Sequence, residues 1–222
     1  MIELVCCDMA GTTVRDDGLV LEAFRRTIES LDLDEDEATQ AEVYVLETMG
    51  QSKIEVFTAL FADRAHDANR LFEAHFVDAA ADMGVHEVPG AREALSALQS
   101  TGVKVALTTG FSPATRETLI AQLGWTDLVE VRVSPADAGR GRPAPDMLLV
   151  CALRAQVSAM SAIAVVGDTA SDMEAGVRAG VGRRIGVLSG TDDAERLRGH
   201  GADTVIDSVS HLLGVIVTGR SL

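Results

Sequence analysis

The sequence predicts an α/β fold: a three-layer core around a central parallel sheet, interrupted after its first strand by an inserted α-helical domain. Three observations predict it. Short apolar runs of strand length alternate with helix-length periodic segments in residues 1–15 and 86–222, the pattern of a parallel sheet covered on both faces. Residues 16–85 carry four helical patterns and no convincing strand. Polar segments follow the apolar runs where an open parallel sheet binds its ligands, beyond the carboxyl ends of its strands.

The first run, residues 2–7 (IELVCC), ends at Asp8 and has the length and continuous apolarity of a strand buried on both faces. Helical patterns then occupy 19–31, 35–48, 52–63 and 67–83, with Gly50 and Gly84 where helix stops belong. The acidic stretch 32–37 reads as a solvated loop and helix start. The core resumes with a helix over 89–100, Leu95 and Leu98 sharing a face, and a strand over 103–108. Ser112-Pro113 is a cap and first-turn signal for a helix over 113–123. A helix over 145–156, a strand over 162–166, a helix over 171–179 and strands over 183–188 and 204–206 complete the alternation. The division is therefore a core of residues 1–15 and 86–222 and a helical insertion of residues 16–85.

A chain of 222 residues is ample for a buried core. Its formal charge of −15 repels phosphate backbones and anionic membranes, which argues against nucleic-acid and membrane partners. A pocket for a phosphate-like anion must then supply its own positive charge. No apolar run approaches the roughly 18–20 residues of a membrane span, and MIELVCCD lacks the pattern of a secretory signal. Cys6, Cys7 and Cys151 are odd in number and lie in apolar stretches, so they read as small buried residues of a reducing compartment. A cytoplasmic, soluble protein is expected. The histidines are scattered without metal-ligand spacing, and Trp125 reads as a packing anchor.

The strand ends carry Asp8-Met9-Ala10-Gly11-Thr12-Thr13, Thr109-Gly110, Gly141-Arg142-Pro143 and Gly167-Asp168-Thr169-Ala170-Ser171-Asp172. Asp8 and Asp168 at adjacent strand ends can share a hard divalent cation, for which oxygen ligands suit Mg²⁺, with Asp172 in reach one helical turn later. Such a cation lets a carboxylate approach an anion, so Asp8 can attack phosphorus and form an aspartyl-phosphate. Thr109 and the amides of Gly11 and Gly110 can donate to phosphoryl oxygens, Thr12 belongs to the same phosphate-side segment, and Arg142 adds the required positive charge.

These four segments resemble, in order, the four motifs of the haloacid dehalogenase-like hydrolase superfamily, whose fold is a three-layer Rossmann-like core with an α-helical cap. The resemblance covers almost the whole chain, insertion included. It implies Asp8 as nucleophile, Thr109 as the phosphate-binding hydroxyl and Arg142 as the basic residue. It also implies a Mg²⁺ site of Asp8, the Ala10 carbonyl, Asp168 and Asp172. Most phosphatases of the superfamily carry a second Asp two residues after the nucleophile, and here that position is Ala10. One branch, phosphonoacetaldehyde hydrolase, is similar in having Ala there, an arginine at position 142 and a cap lysine in a Met-Gly-x-x-Lys segment, matched by Met49-Gly50-Gln51-Ser52-Lys53. The resemblance implies that Lys53 forms an imine with a substrate aldehyde and that the cap mediates a homodimer; Met49 is a candidate pocket residue, with helix packing as its other reading. The branch's histidine three residues after the lysine is Val56 here, and its tyrosine two residues after the threonine is Phe111. The expected substrate is a small phosphonate or phosphate. A phosphomonoesterase acting on a phosphoglycolate-like or sugar phosphate, and a non-catalytic phosphate-binding regulator, are the alternatives.

Overall fold

The apolar run that opens the chain becomes the central strand of the sheet, β1 (Leu4–Asp8), buried along its whole length. The structure is a computed structural model and describes residues 1–218. β2 (Lys104–Thr108) and β4 (Ile163–Gly167) flank β1, both parallel to it, with Cys6 opposite Ala106 and Val165. β3 (Val131–Val133), β5 (Arg183–Val187) and β6 (Thr204–Ile206) extend this to a six-stranded parallel sheet of order β3-β2-β1-β4-β5-β6. The order turns back at β1, so the carboxyl end of β1 is the topological switch point where such sheets open a crevice.

Alternation along β1 explains why both faces are apolar. Val5 and Cys7 join a core with Leu95, Leu98 and Leu107, whereas Leu4 and Cys6 join one with Met147, Cys151 and Val165. α5 (Ala91–Ser100), α6 (Pro113–Gln122) and α11 (Leu212–Thr218) contribute to the first face, α8 (Asp146–Ala155) and α9 (Ala170–Ala179) to the second. The three-layer α/β arrangement is the one the alternation predicts. β3, a three-residue edge strand, and the short helices α7 (Pro135–Ala138) and α10 (Ala194–Gly199) escape the sequence reading because so few residues show no period.

Between β1 and β2 the chain forms α1 (Leu19–Glu29), α2 (Glu35–Glu47), α3 (Lys53–Phe61) and α4 (Ala65–Met83), with no β-strand between α1 and α4. α1 and α3 both pack on α4. The contact is aromatic: Phe24, Phe57 and Phe72 lie with ring centroids 4.5–5.8 Å apart, and all three are buried. The acidic stretch at 32–37 is the start of α2, where the Asp34 carboxylate accepts from the Glu37 amide and Glu37 reaches back to the Asp34 amide. Val45 packs inside this cluster, while Val43 and Leu46 on the same helix are exposed. Trp125 is fully buried and donates from Nε1 to Glu87.

Three contacts set these helices over the sheet ends. The Lys53 amide donates to the Gly110 carbonyl, and Glu55 accepts from the Gly141 amide at 3.1 Å. Glu73 of α4 accepts from the Ser112 amide and hydroxyl, both at 2.9 Å, and from the Thr115 hydroxyl.

Candidate active site

Asp8 ends β1, Thr109 follows β2, and Asp168 follows β4. The parallel register therefore delivers two carboxylates and a hydroxyl to one edge of the sheet without any long loop. Asp172 arrives by helix capping. Thr169 caps α9 by accepting from the Asp172 amide, and Asp172 accepts in return from the Thr169 amide and hydroxyl. Asp168 is held by the Thr12 hydroxyl and the Thr191 amide, both at 2.9 Å. Arg142 bridges the set: Nη2 lies 2.5 Å from Asp8 Oδ1, and Nη1 donates to Asp172 Oδ1.

All four charged groups are almost fully buried, and one guanidinium stands against three carboxylates, in contact with two of them. The ionisation follows from that imbalance. Burial works against the Arg142 charge, but Asp172 and Asp8 more than offset it and hold its pKa above the ordinary value. Burial pushes Asp8 up to about 8, with Arg142 opposing and Asp172 and Asp168 reinforcing. Burial likewise raises Asp168 to about 6, reinforced by Asp172. The ligand oxygens of Asp8, Asp168 and Asp172 all lie within 4.8 Å of one another. Asp8 Oδ1 is buried and outside hydrogen-bonding alignment. Such an all-oxygen, over-charged donor set fits a hard divalent cation. No histidine joins it among the described residues.

A small cavity of about 30 Å³ adjoins this cluster. Asp8, Ala10, Thr109, Gly110, Arg142 and Asp168 line it from the sheet side, and Met49, Gly50 and Lys53 from the helical side. Lys53 is 6% exposed, and its ammonium sits 5.4–5.9 Å from the ring centroids of Phe24, Phe72 and Phe111. It makes no hydrogen bond or ion pair through Nζ to the described residues. Burial lowers its pKa to about 8, with the charges of Asp16, Asp8 and Glu73 opposing and that of Arg142 assisting. An amine in this state is a nucleophile near neutral pH.

Two expected contacts differ. The Gly11 amide donates to the Val14 carbonyl, closing the turn after β1, rather than facing the cavity. Its φ of +83° and the Asp168 carboxylate where a Cβ would stand explain the glycine. Thr12 spends its hydroxyl on Asp168, and its amide donates to Met9, so it orients a carboxylate and does not line the cavity. The sequence reading missed Asp16, Thr169 and Thr191 as cavity residues and Phe24 and Phe72 as neighbours of Lys53. Cys6 and Cys7 are buried free thiols, both pushed up: Cys6 by its hydrogen bond with Cys151 and by burial, Cys7 by burial. Neither is a thiolate nucleophile.

Residues 2–180 match the family described as haloacid dehalogenase-like hydrolase. A phosphonoacetaldehyde hydrolase of Bacillus cereus is 31% identical over 109 residues, a match spanning 48% of this chain and 40% of that protein. The match thus accounts for less than half of either. A phosphonoacetaldehyde hydrolase like protein from Oleispira antarctica superposes with a TM-score of 0.78 at 27% identity, covering 98% of this chain and 92% of the other. A hydrolase from Pseudomonas syringae superposes with a TM-score of 0.86 at 20% identity over 99% of this chain and the whole of the other.

Proposed function

This chain belongs to the haloacid dehalogenase-like hydrolase family, and within it we propose a Mg²⁺-dependent hydrolase that cleaves the carbon–phosphorus bond of a small phosphonate aldehyde of the phosphonoacetaldehyde type. One observation carries the reading. Lys53, buried and with no hydrogen bond or ion pair from Nζ to the described residues, shares a cavity with Asp8 at the very site where Ala10 removes the acid that ester hydrolysis needs.

Expelling a carbanion from phosphorus is too costly without an electron sink. The neutral Lys53 amine condenses with the substrate aldehyde, taking up one proton and losing water, to give an iminium. Asp8 then attacks phosphorus. The carbon–phosphorus bond breaks, its electron pair moves into the iminium, and an enamine and an aspartyl-phosphate result. Water hydrolyses the acyl phosphate, returning Asp8 and inorganic phosphate. The enamine is protonated and hydrolysed to acetaldehyde, freeing Lys53. No alkoxide leaves, so a carboxylate at position 10 is not required. Arg142, Thr109 and the Gly110 amide are the groups available to phosphoryl oxygens. Asp8, Asp168, Asp172 and the Ala10 carbonyl would hold Mg²⁺, which supplies charge neutralisation between carboxylate and phosphoryl group.

The cavity is too small for such a substrate, so the helices at 16–85 act as a cap that opens for entry and closes to exclude water. Glu55 and Glu73 are among its contacts to the core. Val43 and Leu46 are exposed apolar positions available to a cap-mediated homodimer.

A phosphomonoesterase is the second reading, favoured by Val56 and Phe111, which remove two polar groups of the phosphonatase pattern. Phosphate release from phosphonoacetaldehyde, phosphoglycolate and sugar phosphates separates the two. The phosphonatase reading requires phosphonoacetaldehyde to be turned over in preference. Turnover of the esters alone overturns it.

A further inference from the structure

The lysine chemistry proposed above needs a proton carrier. The amine must lose a proton before it adds to an aldehyde. The carbinolamine hydroxyl must gain one before it leaves as water. Val56 and Phe111 offer neither donor nor acceptor at the side chain.

Five carboxylates act on Lys53, line its cavity or belong to the acidic cluster beside it: Asp8, Asp16, Glu73, Asp168 and Asp172. Four are committed. Asp8 is the nucleophile and is paired to Arg142. Asp168 accepts from Thr12 and Thr191, one oxygen each. Asp172 accepts from Arg142 and Thr169. Glu73 spends one oxygen on the Ser112 amide and the other on the Ser112 and Thr115 hydroxyls. Asp16 differs. Its Oδ1 accepts from the Val20 amide at 2.9 Å, which fixes the carboxyl at the start of α1. Its Oδ2 has no hydrogen bond or ion pair to the described residues. The side chain is half-buried and lines the same cavity as Lys53.

We infer that Asp16 is the proton-transfer group for Lys53, acting from the segment that leads into α1. The inference rests on the imine chemistry of the proposed function. In the step, Asp16 accepts a proton from the Lys53 ammonium, and the freed amine forms the carbon–nitrogen bond while the carbonyl pair moves to oxygen. One nitrogen-bound proton passes to that oxygen, giving the carbinolamine. Asp16 returns its proton to the hydroxyl, the carbon–oxygen bond breaks, water leaves, and the nitrogen lone pair forms the iminium. The sum is ammonium plus aldehyde giving iminium plus water, with Asp16 unchanged. The other charges around the pair are Arg142 beside Lys53 and Asp17 beside Asp16. Asp17 itself is paired to Arg15 at 2.8 Å.

Acetaldehyde with borohydride tests this on the full-length protein without requiring phosphonate cleavage, read as mass added at Lys53. Asp16→Asn is expected to slow trapping about tenfold or more at neutral pH and to move the pH of half-maximal trapping, and Asp16→Glu to regain most of the rate. Trapping by Asp16→Asn at the wild-type rate overturns the inference. So does a loss shared by Asp16→Glu with an unchanged pH profile, the signature of a helix cap alone. Absence of trapping in the wild type overturns it as well. A wild type that traps acetaldehyde through Asp16 yet releases no phosphate from phosphonoacetaldehyde leaves this inference standing and overturns the proposed function instead.

Discussion

Two buried cations face one cavity, and they have opposite fates. Arg142, on the sheet side, sits between Asp8 and Asp172 and keeps its charge. Lys53, on the helical side, is ringed by Phe24, Phe72 and Phe111 and is held at about 8. Burial penalises both charges. What separates them is pairing: two carboxylates in direct contact offset it for Arg142, whereas the charges of Asp16, Asp8 and Glu73, none of them in an ion pair with Lys53 among the described residues, only moderate it for Lys53. The difference teaches how one fold places a permanent charge and a neutralisable amine side by side, one suited to an anion and the other to a carbonyl.

The largest expected effect lies on the sheet side. Asp8→Asn should lower phosphate release by on the order of 10⁴ or more, because no other group in the cavity replaces a covalent nucleophile. Steady-state assay with inorganic phosphate detection measures it, and residual turnover within tenfold would mean that another group attacks phosphorus.

Next, removing each cation should change stability in opposite directions. Arg142→Met strands Asp8 and Asp172 and should cost roughly 3–5 kcal/mol. Lys53→Met removes a charge whose burial, moving it from 10.5 to about 8, costs about 3 kcal/mol at neutral pH. It should stabilise by about 1–3 kcal/mol while abolishing activity on the aldehyde. Urea denaturation reads both. Destabilisation by Lys53→Met would show that the rings hold the ammonium better than argued.

The carboxylates give a pH dependence with a defined sign. Asp8 and Asp168 are raised to about 8 and about 6 from 3.8, so the folded chain binds protons that the unfolded chain has released. That stabilisation is complete below pH 4 and is lost as pH rises through 6 and then 8. Without divalent cations, stability should fall between pH 5 and 8. Mg²⁺ at 100 times its dissociation constant should restore about 2.7 kcal/mol. A chain whose urea midpoint ignores Mg²⁺ at pH 8 would contradict the cation site.

The smallest effect probes the position beside the nucleophile. Ala10→Asp should raise phosphate-ester hydrolysis by roughly tenfold or more, since it supplies the acid that an alkoxide leaving group needs. An unchanged ester rate would show that leaving-group protonation is not what position 10 controls.

The same comparison explains how far the sequence could be read. Asp8, Thr109 and Asp168 announce themselves because each stands at the carboxyl end of a strand, and a parallel sheet brings strand ends together whatever lies between; Asp172 follows one helical turn later, and Arg142 is legible from its motif alone. The roles of Gly11 and Thr12 were not legible, because a turn's internal hydrogen bonds are a matter of backbone geometry. The surroundings of Lys53 were less legible still. Phe24 and Phe72 stand 48 positions apart on the chain, on two different helices, and each reads as ordinary helix core. Asp16 looks like the turn residue it also is, and nothing local announces its uncommitted oxygen. β3 is too short to show a period.

The central claim is that Lys53 acts as an amine on an aldehyde. Borohydride reduction in the presence of phosphonoacetaldehyde and Mg²⁺, followed by peptide mass mapping, tests it most directly. The account predicts a two-carbon adduct on Lys53, formed with loss of phosphate release and absent from Lys53→Met. Full turnover of phosphonoacetaldehyde with no adduct at Lys53 would contradict it.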